Sequence, residues 1–554
     1  MGSARSWKTF AVEDPLAVVG LLVGLVLTVL AVSAAAHALS WPAPLALVAA
    51  GVAGSLLPWV EDLRPAPDVV LVGLIPPLLY AAALQTSAID IRREIRPIAS
   101  LSVGLVLATT VLVGVALHAA VPDVPLAAAM ALGAIVAPPD AVATVAVTRR
   151  AGLPRRAITV LEGESLFDDA TALVALRVSV AALAGGVTAL DATAQFVRAA
   201  GGGVAVGLVV GFAVSFVRRR VTDSVTDTAL SLVAPFLAFL PAEELHASGV
   251  LAVVVTGLVL AHRSPQDQEP TARLVEGATW STVARLLEGT VFVLIGFALR
   301  DVATSLEASA AEVAASTGVV LGVVLVLRPL WIFGTSWVGG LLPGGRSDGM
   351  PWRPLAAISW AGMRGVVSLA AALALPLDMP QRDLILALAV VVILGTLGLQ
   401  GLTLPWLIRR LGIEPPDPRE EAIQRAHALD RAAEAGLARL DELAEEAPLP
   451  ESALDALRRV ADDRTLATWE SSDAHAREAP TVAYRRVRRE MMGAERAALL
   501  RLRDDGEIDD EIVRDLQREL DLEEALLAAF EDSDTAEVGD ADEARGGMRR
   551  RPDG

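Results

Sequence analysis

The chain has 554 residues, of which 53% are hydrophobic but only 4% aromatic; it carries a net charge of −19 and has no cysteine. The apolar excess lies in runs of about 20 residues, the length that crosses a hydrocarbon core of about 30 Å, so the class is a polytopic membrane protein. Disulfide frameworks and thiolate metal sites are excluded, six histidines form no cluster for a transition metal, and the acidic balance argues against a nucleic-acid partner.

Met1 to Pro15 is polar, and the apolar run after it lacks the small-residue cleavage pattern of a signal peptide, so Leu16 onward reads as a first spanning helix. Apolar runs at 15–35, 43–60, 68–87, 98–120, 124–147, 157–184, 200–217, 227–242, 247–262, 279–299, 315–340, 354–376 and 384–408 give about 13 spans and an all-α fold class. Arg92, Arg93 and Arg96, then Arg149, Arg150, Arg155 and Arg156, then Arg218 to Arg220, then Arg263 and Arg273, then Arg346 and Arg353, fall in alternate loops. The opposite loops carry isolated cases such as Arg64, Arg198 and Arg382. The positive-inside rule then places the N-terminus outside and the end of the last span, at Arg409 and Arg410, in the cytoplasm.

Charge inside a span costs about 2.5–3.5 kcal/mol on insertion scales, so an ionisable residue kept there faces a cavity or a partner. Asp140 follows Pro138 and Pro139 within an apolar span. The prolines lack amide donors and clash with the preceding turn, which predicts a break near 135–139, carbonyls freed to coordinate a cation, and a half-helix starting at Asp140. The next span opens with Leu161 to Leu173, "LEGESLFDDATAL". Helical spacing puts Ser165 and Asp169 on one face, suited to a hard monovalent cation, and Glu164 and Asp168 on another, free to find a basic partner. Glu162 reads as an interfacial residue paired with Arg155 or Arg156.

Arg328, before Pro329, reads as a structural pair or a snorkelling side chain. Arg364, flanked by Gly362 and Gly365, lies in a second span expected to unwind and is the expected counter-charge of Glu164 or Asp168. Two interrupted helices in corresponding positions point to an inverted repeat with the ion site at its interface. An intramembrane aspartyl protease would want a glycine before its catalytic aspartate, and a passive channel would want repeated polar lining; neither is present.

The composition changes at about Leu411. From there to Gly554 stand 38 acidic and 21 basic residues, which is most of the net charge. Helical apolar spacing in "EEAIQRAHALDRAAEAGLARLDELAEEA" and "DEIVRDLQRELDLEEALLAAF" predicts a cytoplasmic helical domain over 411–530, and 531–554 is expected to be disordered.

The stretches "GAIVAPPDAVA", "VLEGESLFDDATAL", "PAEELHASGVLAVVVTGL" and "GMRGVVSLAAALAL" resemble the bacterial sodium/proton antiporters of the monovalent cation:proton antiporter-1 family. The resemblance covers about residues 15–410, and the tail is similar to the cytoplasmic extension of many members. It implies a homodimer among lipids of the bacterial inner (plasma) membrane, with a six-helix core and elevator-like alternating access. The activity it implies is exchange of Na⁺, with Li⁺ or K⁺ as alternatives, for H⁺ in pH and cation homeostasis. No enzyme activity follows from it, and no cofactor beyond the transported ions.

By position, Asp140 corresponds to the aspartate of the broken helix and Asp169 to the essential aspartate of the family's Asn-Asp pair, the two holding Na⁺. Glu164 and Ser165 match its Glu-Ser, and Arg364 matches the arginine that pairs with the glutamate. Two departures stand out. Asp168 occupies the usual Asn position while the only lysine is Lys8, and "LLYAAAL", Leu78 to Leu84, lacks a glutamate seen in many members. Because an arginine cannot release a proton, Asp168 held ionised against Arg364 would give one cation per proton. A K⁺/H⁺ antiporter is the alternative within this class. A membrane anchor presenting the tail to a cytoplasmic ligand or partner is the alternative outside it.

Overall fold

A computed structural model describes residues 15–39, 41–56, 69–140, 144, 147–148, 151–183, 185, 189–305, 310–341, 350–376, 378–413, 418–446, 450–471, 480–504, 516–517 and 520–524. They fall into two compact units, Met1–Pro415 and Pro416–Gly554, and every regular element among the described residues is helical.

The first unit opens with α1 (Pro15–Ala38) and α2 (Ala43–Ser55), followed by a π-helical turn, Val69–Leu74, that leads into α3 (Ile75–Gln85). Two short helices, α4 (Ala88–Arg93) and α5 (Ile95–Ala99), precede α6 (Val106–Ala120) and α7 (Leu126–Val136). The long helices are α8 (Arg155–Leu183), α9 (Ala189–Arg218), α10 (Ser224–Glu244), α11 (Gly249–Asp267), α12 (Pro270–Ser305) and α13 (Ala310–Leu341). The unit closes with the half-helices α14 (Trp352–Trp360) and α15 (Val366–Leu373) and with α16 (Arg382–Leu411). Among the described residues, helix therefore falls within each apolar run of the sequence.

Among the described residues six stretches are long and apolar enough to cross a membrane: Ile95–Ala120, Thr193–Arg218, Ser224–Glu244, Pro270–Phe297, Ala311–Trp337 and Arg382–Leu411. The 29-residue α8 has the length but carries Glu162, Glu164, Asp168 and Asp169, which lower its hydropathy. The runs at 124–147 and 354–376 are interrupted instead, at Ala137–Asp140 and at Ala361–Gly365.

With few aromatic rings to fill space, the helices pack on small residues. A Cβ at Gly51 would overlap the Val293 carbonyl, and one at Gly296 would overlap the Val48 carbonyl, so α2 and α12 touch backbone to backbone. One buried cluster joins α6, α7, α13, α14, α15 and α16, and a second joins α3, α9, α10 and α11. The charged helix α8 contributes side chains to both, Ala175 and Leu176 to the first and Leu166 and Ala170 to the second.

Arg218 departs from its expected place in a surface loop. As the last residue of α9 it is 2% exposed and paired with Asp227 at 3.4 Å and Glu276 at 2.7 Å, so its charge is neutralised inside the protein. Arg156 likewise pairs with Glu94 at 2.7 Å.

The second unit contains α17 (Pro418–Glu446), α18 (Glu451–Ser471) and α19 (Pro480–Asp504). Arg458 of α18 meets Asp441 of α17 at 3.0 Å. Arg488 and Arg496 of α19 tie down residues 521–524, through Glu523 at 2.7 Å and Asp521 at 2.7 Å. Most of the second apolar stripe expected in the tail, and all of 531–554, lie outside the described residues.

Candidate functional site

The prolines act as the sequence predicts: α7 stops at Val136 and the chain is unwound from Ala137 to Asp140. Helical bonding resumes where the Thr144 amide donates to the Asp140 carbonyl at 3.2 Å. The second unwound segment, Ala361–Gly365, lies against the first, and the Asp140 amide donates to the Met363 carbonyl at 2.6 Å. A Cβ on Gly365 would collide with the Asp140 carboxylate, so only glycine allows this approach.

Arg364 secures the crossing. Its guanidinium donates to the carbonyls of Val136 at 2.8 Å, Ala137 at 3.1 Å and Gly362, and its amide donates to the Thr396 hydroxyl at 3.1 Å. A cation at the C-terminal end of α7 also answers the partial negative charge of that end. Two expectations are corrected here. The carbonyls of Val136 and Ala137, freed by the break, are taken by an arginine rather than left open to an ion. The partner of Glu164 is Arg328, not Arg364.

Arg328 grips Glu164 in a two-pronged pair, one prong at 2.8 Å, and its third nitrogen donates to the Ile358 carbonyl at 3.2 Å. It sits 18 residues into the 32-residue α13. At 1.5 Å per residue it is therefore roughly 20 Å or more from either end, too deep to snorkel, which leaves only the paired reading. Its depth in the run 315–340 matches that of Arg364 in 354–376, so depth alone did not rank one above the other as the partner of Glu164.

Along α8 the two helical faces separate as their spacing requires. Glu164 and Asp168 point away from solvent, 1% and 0% exposed, and neither oxygen of Asp168 meets a hydrogen-bond partner. Asp168 therefore lacks the Arg364 contact on which the one-for-one expectation rested. Ser165 and Asp169 line a cavity of about 320 Å³ together with Asp140, Pro138, Pro139 and Glu162. At about 30 Å³ per water it holds roughly ten waters, enough for a cation with part of its hydration shell. The Ser165 hydroxyl donates to the Leu161 carbonyl at 3.1 Å, so its oxygen keeps lone pairs for a cation.

The remaining polar walls come from Gln85 at the end of α3, Thr86 just after it, Glu288 of α12 and Ser368 of α15. Sequence reasoning did not single these out. Glu288 stands near the middle of the apolar run 279–299, and that depth was the signal that could have found it, whereas one serine in an apolar half-helix carries no pattern. Among the described residues no three His, Cys, Asp or Glu side chains converge on one point as a resident metal centre would require.

The profile of the family "Sodium/hydrogen exchanger, transmembrane" matches residues 23–410. An uncharacterized Na⁺/H⁺ exchanger of Mycobacterium tuberculosis (strain ATCC 25618 / H37Rv) is 34% identical over 536 residues, covering 92% of this chain and 97% of that protein. A Bacillus subtilis (strain 168) protein named sodium, potassium, lithium and rubidium/H⁺ antiporter is 33% identical over 392 residues, covering 66% and 58%. In fold, the sodium proton antiporter of Methanocaldococcus jannaschii at pH 8 superposes with a TM-score of 0.57 at 19% identity, covering 72% of this chain and 98% of that one. A match through all the interrupted helices, and a relative similar over nearly the whole length, settle the affiliation: this chain is a transporter belonging to the transmembrane sodium/hydrogen exchanger family.

Proposed function

We propose that the protein exchanges Na⁺ for H⁺ across the plasma membrane by alternating access, serving pH and cation homeostasis. The cation and protons compete for Asp169, with Asp140 and Ser165 completing the binding face. The observation that carries this reading is the position of Asp169 and Asp140 on one cavity of about 320 Å³ beside two crossed, unwound helices. Pro138 and Pro139 make the break, Arg364 holds its carbonyls, and the Arg328–Glu164 pair fixes α8 against α13. Asp168 is no part of the cavity lining and is not counted among the exchanging carboxylates.

The cavity reaches Gln85 and Thr86, just before the arginine cluster at Arg92, Arg93 and Arg96. With such clusters cytoplasmic, the arrangement is inward-facing, the N-terminus is outside and the acidic unit is inside. A homodimer is the assembly we assign, with α8 and the two interrupted helices moving as the ion-carrying part.

Reconstitution in liposomes with an internal pH dye tests the reading: Na⁺ added at pH 6 to 9 drives a proton flux in the wild type and none in Asp169→Asn, which still purifies as the folded oligomer. No alkali-cation-dependent flux in the wild type would sink it. K⁺ is the second reading, favoured by the name of the Bacillus subtilis relative. Carboxylates and a hydroxyl suit both ions, and selectivity turns on cavity size and ligand number. Faster exchange with K⁺ than with equal Na⁺ at every pH would reverse the assignment.

A further inference from the structure

The cavity has a wall that the binding face of α8 does not supply. Glu288 lines it from α12 and Ser368 from the first turn of α15, three residues after Gly365, whose backbone lies against the Asp140 carboxylate. Ser368 lines the same cavity, is 1% exposed, and its hydroxyl oxygen has no hydrogen-bond partner. A buried hydroxyl left unsatisfied is costly, and a ligand or water in the cavity would offset that cost. Glu288 is half-buried, and its carboxylate is near enough to Asp140 to feel that charge, with Arg285 one turn away on the exposed side of the same helix. Yet Glu288 does not close round one point with Asp140 and Asp169, since no three such side chains converge among the described residues.

We propose that Glu288 and Ser368 form a second, staging position for the alkali cation, separate from the Asp140, Ser165 and Asp169 face and lying on the same path. The carboxylate concentrates cations in the cavity, and the hydroxyl takes the place of one hydration water as the ion passes to Asp140. A carboxylate in a cleft with low-dielectric walls raises local cation concentration tenfold or more, an effect that salt screens. The staging position sets affinity and not turnover, because the bonds remade in each cycle are those at Asp169.

This inference rests on the exchange reading, and one experiment separates the two. Na⁺-dependent proton flux in proteoliposomes is measured for the wild type, Glu288→Gln, Glu288→Asp and Ser368→Ala, over a range of ionic strength set with an impermeant organic cation. The expected result is a KM for Na⁺ raised about five- to tenfold in Glu288→Gln, with maximal rate within about twofold of wild type. Glu288→Asp recovers most of the affinity, and Ser368→Ala raises KM about two- to threefold. The dependence of KM on ionic strength flattens in Glu288→Gln, which a packing defect would not produce. Wild-type KM in Glu288→Gln, or a fallen maximal rate at unchanged KM, overturns the staging position and leaves the exchange reading standing. Absence of flux in the wild type overturns both. Should Glu288→Gln fail to fold, the KM and salt dependence of Glu288→Asp and Ser368→Ala decide on the same terms, and wild-type values in both overturn the proposal.

Discussion

Arg328 and Arg364 are both 2% exposed, and their partners divide the work between them. Arg328 is held by a carboxylate, Glu164, and Arg364 by backbone carbonyls of two unwound segments. Removing the first leaves a buried carboxylate without its cation, so Arg328→Ala should destabilise the protein by about 3–5 kcal/mol. Arg328→Lys should recover only part of this, since an ammonium cannot make the forked contact. Thermal unfolding in detergent reads both, and an unchanged midpoint in Arg328→Ala would refute the pair's importance. The division was only half legible in the sequence. Residue type and depth announce that an arginine in a span needs a partner, but the partner is chosen by the packing of α8 against helices more than 150 residues away. Local spacing carries no information on that choice. Ser368 was hidden for the same reason, and the depth of Glu288 marked a charge in need of surroundings without saying which, since each becomes part of a site only when α12 and α15 are set beside α8.

At the scale of elements the sequence spoke more clearly, because a proline pair or a glycine-flanked arginine changes the backbone where it stands. Both breaks fall within a residue or two of where Pro138, Pro139, Gly362 and Gly365 place them, at Ala137–Asp140 and Ala361–Gly365. The sorting of α8 was legible too, because helical spacing alone puts Ser165 with Asp169 and Glu164 with Asp168. What spacing could not foresee is how tightly the two unwound segments cross. The Asp140 amide reaches the Met363 carbonyl at 2.6 Å, and Gly365 leaves no room for a Cβ beside the Asp140 carboxylate. Gly365→Ala should therefore push the segments apart, displace Asp140 and lower the exchange rate by about tenfold or more, since misplacement by 1 Å is enough to cost that much. The helices on either side keep their packing, so expression and oligomeric state should stay as in the wild type. Wild-type flux in Gly365→Ala would show that the crossing is looser than its geometry.

For the whole molecule the question is whether the acidic unit takes part in sensing pH, and its ion pairs argue against it. Arg488 donates to both oxygens of Glu523 at 2.7 Å, and these hydrogen bonds hold the Glu523 carboxyl below the ordinary carboxylate range. A carboxyl whose folded value is lowered adds stability that is present above its unfolded value of about 4.3 and is lost as pH falls through the folded value. The pair is therefore made throughout pH 6 to 9 and loosens only below about pH 4. It lies on an exposed surface, where such pairs are worth little and salt screens them. Hydrogen exchange on the full-length protein should show amides of 488–496 and 520–524 equally protected at pH 6 and 9 and less protected near pH 4, with the acid effect lost in Glu523→Gln. The pH dependence of transport would then belong to the membrane unit, where cations and protons compete at Asp169. Removal of residues 416–554 should leave the midpoint of the pH profile where it is in the intact chain, even if the amount of protein in the membrane falls. The contrary reading, in which the spans serve only to anchor the tail, requires that the truncated protein lose its function while Asp169→Asn keeps it. A midpoint displaced by a full pH unit on truncation would place the sensor in the acidic unit, and would mean that groups other than the carboxylates bound by the arginines of α19 titrate there between pH 6 and 9.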